Sequence, residues 1–219
     1  MTAISVLGSG SWATALIKLL SENKRNIYWW VRNKETAEFI NKYHHNPKYL
    51  TQVEIHLHNG IVTDEMGIVL ENSEWILFCI PSYYVKEIIH TIPKDALKGK
   101  KIITAIKGLI HDKQKLISSY IHTYFDIPYS DIVCISGPCH AEEIASERLS
   151  FLTFASKNLN LAKEAAMHFN CRYLKTRISE DIAGCEYASV LKNVYAIASG
   201  ISIGLDFGDN FRAVLISYC

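Results

Sequence analysis

Short apolar runs alternate with amphipathic stretches along roughly the first 155 residues of the chain. The apolar runs are rich in isoleucine, valine and aromatic residues, as is typical of β-strands, and they read AISVL, NIYWWV, EWILFCI, KIITAI, DIVCIS and LSFLTFA. The stretches between them carry apolar residues at helical spacing and read WATALIKLLSEN, KETAEFINKY, SYYVKEIIHTI and KQKLISSYIHTYF. Such alternation predicts βαβ crossovers, and hence an α/β fold whose mainly parallel sheet is covered by helices on both faces.

The pattern changes near residue 178. From Ser179 onward the sequence reads as helix, and no turn cluster interrupts it before GLDFGDN. We therefore predict a first domain over residues 1–178 and the beginning of an all-helical second domain over residues 179–219. The final RAVLISYC contains no helix-stop signal, so we expect the helical domain to be incomplete in this chain.

Composition narrows the class of protein. Of the 219 residues, 49% are hydrophobic and 21% are charged, which is enough apolar material for a sizeable core. The formal net charge of +1 argues against nucleic acid and anionic membranes as partners. The six cysteines include no C-x-x-C pair and no zinc-type spacing, so we predict no metal and a reducing, cytoplasmic setting. Residues 187–205 carry a single charge, but their asparagine, serines and glycines favour a buried helix over a membrane span.

The segment Gly8-Ser9-Gly10 follows the first predicted strand and precedes the first helix. Gly8 permits a tight turn, Gly10 lets a diphosphate approach the backbone, and Ala13 is small enough for close packing of helix on strand. The N–H groups and the positive dipole end of the helix favour an anion at this point. In this context the G-x-G-x-x-A pattern predicts a Rossmann-type dinucleotide site rather than a merely tight turn.

The end of the second predicted strand bears on the choice of cofactor. A site for NAD has Asp or Glu there to hold the ribose 2′-hydroxyl, whereas YWWVRNK places Arg32 and Lys34 at this point. The Arg32 guanidinium can bind a 2′-phosphate through two charge-assisted hydrogen bonds, and the alternative is an exposed loop cation. We predict that NADP is preferred and that NAD is also accepted.

Two further strand ends carry candidate substrate groups. Lys107 lies between an apolar strand and Gly108, where it either holds an anionic or carbonyl-bearing substrate or is an exposed loop lysine. In SGPCHAEE, the Gly137 backbone precedes a helix start and offers a place for an anion or the nicotinamide amide. Cys139 and His140 have no third group nearby to orient them, so nucleophilic chemistry is disfavoured.

Lys192 is the strongest candidate for catalysis. The helix that carries it is predicted to have a buried apolar stripe formed by Leu191, Val194, Ala198 and Ile201. No acidic residue lies three or four positions from Lys192, and a lysine in apolar surroundings is costly unless it has a function or a remote partner. Such a lysine suits proton transfer, although a lysine that reaches water from the helix flank would give the same pattern. The adjacent Asn193 is placed to orient a substrate hydroxyl.

The motifs together resemble those of the bacterial-type NAD(P)-dependent glycerol-3-phosphate dehydrogenases. They occur in family order and at family-like spacing over the whole chain, as GSGSWATAL, WVRN, NPKYL, IPS, AIKGL, SGPCHAEE and CEYASVLKNVYAIASGISIGLDFGDN. The resemblance implies a nicotinamide-dependent interconversion of dihydroxyacetone phosphate and sn-glycerol 3-phosphate, which supplies phospholipid synthesis. It also implies a homodimer when the protein is full length.

The resemblance further implies roles for individual residues. The cofactor contacts would come from Ser11, Trp12, Arg32, Lys107 and Ala141. Lys107, Gly137 and Cys139 would face the substrate. Lys192 would protonate the carbonyl oxygen as hydride reaches the carbonyl carbon, and would remove that proton in the reverse direction. The chain departs from the family pattern at Ala13, usually Gly, at Cys139, usually Ser, and at His140, usually Phe.

Two other hypotheses remain open. A ketopantoate-reductase-like or hydroxyacid-dehydrogenase-like enzyme also pairs this type of sheet with a helical domain and a lysine, and a substrate panel would separate it. The second hypothesis is a dinucleotide-binding sensor that catalyses no reaction. Lys192→Ala would abolish turnover in an enzyme, whereas a sensor would have no turnover to lose.

Overall fold

The computed structural model describes residues 2–110 and 114–217, which form an eight-stranded sheet with helices on both faces. The strands are β1 Ala3–Leu7, β2 Asn26–Trp30, β3 Ile61–Thr63, β4 Trp75–Phe78, β5 Lys101–Thr104, β6 Ile132–Ser136, β7 Ser150–Ala155 and β8 Leu174–Ser179. Their order across the sheet is β3-β2-β1-β4-β5-β6-β7-β8, and every neighbouring pair is parallel except β6 and β7. The predicted α/β fold with a mainly parallel sheet is therefore confirmed.

Helices connect these strands and extend beyond the last of them. They are α1 Ser11–Glu22, α2 Lys34–Tyr43, α3 Met66–Glu71, α4 Ser82–Thr91, α5 Ile117–Phe125, α6 Ala141–Ala145, α7 Leu159–Phe169, α8 Ile182–Gly204 and α9 Gly208–Ser217. The helix predicted from residue 113 is α5, which begins only at Ile117; residue 113 itself lies outside the described residues. Shortly before α5, Ile110 and Lys115 form an isolated antiparallel bridge, in which the Ile110 N–H donates to the Lys115 carbonyl at 2.9 Å.

Both edges of the sheet are formed by strands that were not predicted. Strand β3 is only three residues long, which is too short to show a periodic pattern. Strand β8 reads LKTRIS, and its Lys175, Thr176 and Arg177 are exposed, so it lacks the apolar run of a buried strand. The sequence signal was therefore weak at the two edge strands, each of which pairs with only one other strand.

The sheet separates two hydrophobic clusters. Val6, Trp29 and Leu77 point to the side covered by α1, α2, α6 and α7. Their chain neighbours Leu7 and Phe78 point to the opposite side, which α3, α4 and α5 cover. The central strands are buried on both faces. The loops that follow their carboxyl ends are therefore where a binding site can form.

The predicted buried stripe on α8 was wrong. Leu191, Val194 and Ile201 are 37%, 55% and 57% exposed, and Ala198 is half-buried. Within the described residues α8 packs mainly against β6, β7 and α9, and most of its apolar residues remain exposed. None of the helices that the structure describes combines the length and apolar character needed to cross a membrane.

Candidate functional site

The turn between β1 and α1 allows a close approach to the backbone. Gly8 has a φ of +124°, and a Cβ there would lie 2.2 Å from the carbonyl oxygen of Cys79, so only glycine fits. A Cβ at Gly10, in contrast, would meet no atom within 4 Å, because the space beside this residue is open. No side chain caps α1, so the N–H groups of its first turn, which begins at Ser11, remain for another partner. The turn and the helix N-terminus together form a cradle for an anionic group.

A cavity of about 180 Å³ opens in front of this turn. Its lining includes the turn residues Gly8 and Gly10 together with Arg32, Tyr49 and Tyr84. The Arg32 guanidinium carbon lies 5.3 Å from the centre of the Tyr84 ring, and the arginine side chain is otherwise exposed. The structure thus brings Arg32, the candidate for 2′-phosphate binding, to the same cavity as the glycine turn.

Lys107 follows β5 and lies against the first turn of α1. Its ammonium nitrogen is 4.6 Å from the centre of the Trp12 ring. The pKa of Lys107 is lowered, first by partial burial of its ammonium group, although the residue as a whole is exposed, and second by the charge of Lys192. The indole nitrogen of Trp12 is buried without a hydrogen-bond partner, which leaves one donor available in this cleft.

Helix α8 brings Lys192 to the same region. The charge of Lys192 contributes to the lowered pKa of Lys107, so the two lysines lie within electrostatic range of each other. Lys192 is half-buried and Asn193 is exposed. In the part of the chain that the structure describes, neither Lys107 nor Lys192 has a carboxylate within ion-pair distance. The Glu142 carboxylate acts on Lys107 only from a longer distance. Two neighbouring cations that form no ion pair are suited to an anionic ligand.

The turn between β6 and α6 forms another part of this edge. Gly137 has a φ of +154°, and a Cβ there would lie 2.4 Å from the carbonyl oxygen of Phe151. Glycine is therefore required to bring this turn against β7. Ala141, the first residue of α6, is buried, and its helix is only one turn long.

Cys139 is only 1% exposed. A side chain buried to this extent presents little surface to the substrate that it was predicted to contact. Burial raises the pKa of its thiol, while a hydrogen bond with Ser150 and the charges of Lys107 and Lys192 oppose that rise. The thiol therefore stays protonated, and His140 provides no evident activation because its side chain is exposed at the start of α6.

The match to known families covers nearly the whole chain. Residues 3–162 match the model described as NAD-dependent glycerol-3-phosphate dehydrogenase N-terminus, and residues 181–219 match the corresponding C-terminus. The chain belongs to the NAD-dependent glycerol-3-phosphate dehydrogenase family. This confirms the resemblance inferred from the sequence motifs.

Individual members of the family are similar over 99% of this chain. A glycerol-3-phosphate dehydrogenase [NAD(P)+] of Oceanobacillus iheyensis is 37% identical, and one of Clostridium botulinum is 34% identical. The chain spans 62% and 64% of the length of these two relatives.

Solved structures of the family have the same fold. The glycerol-3-phosphate dehydrogenase of Coxiella burnetii is 28% identical with a TM-score of 0.86, and 99% of this chain covers 65% of that one. An imine reductase of Myxococcus stipitatus, at 14% identity and a TM-score of 0.68, shares the fold alone; 94% of this chain covers 64% of it.

Several residues of this glycerol-3-phosphate dehydrogenase-like site were not predicted. Tyr49 and Tyr84 line the cavity in front of the glycine turn, and the available signals were the NPKYL motif and the position of Tyr84 two residues after the IPS turn. Glu186 is 3% exposed on α8 and accepts hydrogen bonds from the N–H and hydroxyl groups of Ser118 at the start of α5. A second bond, Ser189 to Ser136 at 2.8 Å, joins α8 to β6. These contacts fix the part of α8 that precedes Lys192.

No group of three or more His, Cys, Asp or Glu side chains suited to a metal occurs in the described residues. The five described cysteines, Cys79, Cys134, Cys139, Cys171 and Cys185, are free thiols.

Proposed function

We propose that this chain takes part in the reduction of dihydroxyacetone phosphate to sn-glycerol 3-phosphate with NAD(P)H. The observation that carries the proposal is the convergence of Lys107 and Lys192 beside Trp12 and the glycine turn, with no carboxylate of the described residues within ion-pair distance of either lysine. The relatives that match over 99% of the chain are named glycerol-3-phosphate dehydrogenase [NAD(P)+], which supports the same activity.

The residues around the turn fit a dinucleotide. The open space beside Gly10 and the uncapped N–H groups of Ser11 and Trp12 suit its diphosphate. Arg32 would hold the 2′-phosphate of NADP, and this favours NADP over NAD. The start of α6 at Ala141 would complete the site, together with Lys107. A bound NAD(P)H supplies the hydride donor.

Side chains of this protein would bind the charged substrate and transfer the proton. Lys192 would act as the general acid that protonates the carbonyl oxygen, and as the base in the oxidation. Lys107 would attract the phosphate-bearing substrate, since an anion near its ammonium group stabilises the charged form. Asn193 and the Gly137 turn would orient the substrate, and Cys139 would lie behind them.

Lys192→Met and Lys107→Met test these roles, with Lys175→Met on the exposed face of β8 as the matched control. NADPH oxidation with dihydroxyacetone phosphate should fall by roughly 10²–10⁴-fold in the Lys192 variant and stay unchanged in the control. Affinity for NADPH, followed by tryptophan fluorescence, should be retained in the Lys192 variant. Unchanged turnover would remove Lys192 from the mechanism, and no turnover by the parent chain would overturn the reductase proposal for this chain.

Arg32→Met tests the cofactor preference. Loss of charge-assisted hydrogen bonds worth about 1.5–3 kcal/mol should weaken NADPH binding by about 10–100-fold and NADH binding far less. Equal losses for both cofactors would contradict the assignment. A panel of ketopantoate, hydroxyacids and dihydroxyacetone phosphate tests the competing enzyme classes, because only the phosphate-bearing ketone should be reduced.

We also propose the wider arrangement implied by the family. The cofactor domain would span residues 1–178 and the helical domain would begin at residue 179, close to the change from β8 to α8. The full-length protein would be a cytoplasmic homodimer that supplies phospholipid synthesis. Sedimentation of the protein across a range of concentrations tests the dimer.

A further inference from the structure

Asn46, in the NPKYL motif, has a side chain with every hydrogen-bonding position in use. It is 1% exposed and lies in the loop after α2. Its Nδ2 donates to the Ser9 carbonyl at 3.0 Å and to the Thr14 hydroxyl at 2.9 Å. Its Oδ1 accepts from the N–H groups of Lys48 at 3.0 Å and Tyr49 at 3.2 Å. An amide offers two donors and two acceptor positions, so the group is fully satisfied.

These contacts reach the glycine turn from 37 residues away in the sequence. Because Thr14 Oγ1 accepts a hydrogen bond from the Asn46 Nδ2, its own hydroxyl proton is directed to the Gly10 carbonyl at 3.1 Å. The carbonyl of the preceding Gly8 accepts from the indole N–H of Trp29 at 2.5 Å. Three consecutive carbonyls of the turn, at residues 8, 9 and 10, are thus bound by side-chain donors.

The orientation of the carbonyls determines the orientation of the N–H groups. A trans peptide points its C=O and the following N–H in opposite directions, and the described residues contain no cis peptide. When the carbonyls of residues 8, 9 and 10 face inward, the N–H groups of Ser9, Gly10 and Ser11 face away from these donors. That side holds the cavity of about 180 Å³.

We propose that Asn46 is a positioning residue for dinucleotide binding, which acts through Ser9 and Thr14 to hold the N–H groups of the glycine turn ready for the diphosphate. It does not itself contact the ligand. The inference rests on the proposed function only in naming that ligand; the effect on the turn itself is a property of the free protein.

Asn41 provides a matched control. Its side chain also bridges backbone groups, since Nδ2 donates to the Val62 carbonyl at 2.7 Å and Oδ1 accepts from the Val62 N–H at 3.1 Å. These bonds join α2 to β3, and none of them touches the turn. Asn41→Ala therefore removes a comparable amide bridge and leaves the diphosphate cradle intact.

The first measurement uses the free protein. Order parameters of the Ser9, Gly10 and Ser11 amides, measured by NMR relaxation, should fall in Asn46→Ala and in the isosteric Thr14→Val, and should not change in Asn41→Ala. If Asn46→Ala is too unstable to study, Thr14→Val tests the same bridge. Unchanged order parameters in Thr14→Val would overturn the inference whether or not the protein binds a dinucleotide.

The second measurement uses two probes that differ in the diphosphate. We expect Asn46→Ala and Thr14→Val each to weaken the binding of 2′-phospho-ADP-ribose by about tenfold, as measured by calorimetry. The binding of adenosine 2′-phosphate, which has no diphosphate, should stay unchanged. The double variant should bind 2′-phospho-ADP-ribose no more weakly than Asn46→Ala does, because both substitutions interrupt the same series of hydrogen bonds. Equal weakening of both probes, or the same pattern in Asn41→Ala, would overturn the inference. Failure of the parent chain to bind NADPH or NADH would instead count against the proposed function.

Discussion

The buried carboxylate of Glu186 allows a prediction with a worked magnitude. It accepts hydrogen bonds from the Ser118 N–H at 3.0 Å and from the Ser118 hydroxyl, and the residue is 3% exposed. Glu186→Ala removes both bonds and leaves a buried N–H without a partner. At about 1.5 kcal/mol for each bond to a charged group, the expected loss is roughly 3 kcal/mol of the free energy of unfolding.

Glu186→Gln should behave quite differently. Its amide oxygen can accept from the Ser118 N–H, and its amide N–H can donate to the Ser118 hydroxyl, so both bonds persist. Burial raises the pKa of Glu186 above 4.5, and the Ser118 bonds only partly oppose this. A carboxyl group whose folded pKa is raised contributes stability below its unfolded pKa and loses it as the pH rises. Glu186→Gln should therefore gain stability relative to the parent chain as the pH increases above 4.5.

Urea unfolding at several pH values between 4.5 and 8 measures both effects. Ser118→Ala is the control, because it removes the hydroxyl bond and keeps the N–H bond. A Glu186→Gln protein that is as unstable as Glu186→Ala would refute the hydrogen-bond argument. A parallel pH dependence for Glu186→Gln and the parent chain would refute the assignment of the raised pKa to this carboxyl group.

Two further predictions concern His168 and Gly137. His168 is 4% exposed, its ring nitrogens have no hydrogen-bond partner, and burial lowers its pKa to about 4. The neutral ring contributes stability above pH 6.5 that is lost as the pH falls towards 4, by roughly 3 kcal/mol, so His168→Leu should flatten this part of the pH–stability curve; a curve that keeps its slope would contradict this. Gly137→Ala should cost at least about 2 kcal/mol because its Cβ would meet the Phe151 carbonyl, whereas Gly67→Ala in α3, where the Cβ has open space, should be neutral or stabilising. Thermal unfolding of the two glycine variants measures this difference, and equal melting temperatures would refute it.

The sequence was informative where one local pattern determined the structure. Six buried strands were found from their apolar runs, and the glycine turn from its spacing after β1. Arg32 was singled out because it stands where a NAD site has an acidic residue, and Lys107 because it lies between an apolar strand and Gly108; their roles remain predictions. The edge strand β8 was missed because its outward residues are polar, and the buried stripe on α8 was wrong because burial depends on what packs against a helix.

The residues that sequence reasoning missed are defined by distant partners. Asn46 acts on a carbonyl 37 positions away, and Glu186 binds Ser118 over 68 positions. Neither residue type nor spacing reveals such a pair, because a buried asparagine and an exposed one have the same local sequence signature. A buried polar side chain becomes recognisable only when its hydrogen-bond partners are known.

Contacts between residues far apart in the sequence also explain how Lys107 and Lys192 can be kept close together. Repulsion between Lys107 and Lys192 opposes their approach, and no carboxylate of the described residues forms an ion pair with either of them. Their backbones must therefore be held by other contacts. Gly108 packs so closely on Ser82 that a Cβ would lie 2.5 Å from its hydroxyl oxygen, which fixes the turn after Lys107. The bonds of Glu186 fix the helix before Lys192. The positive charge at the site is thus maintained by the surrounding fold, and an anionic ligand would relieve the repulsion when it binds.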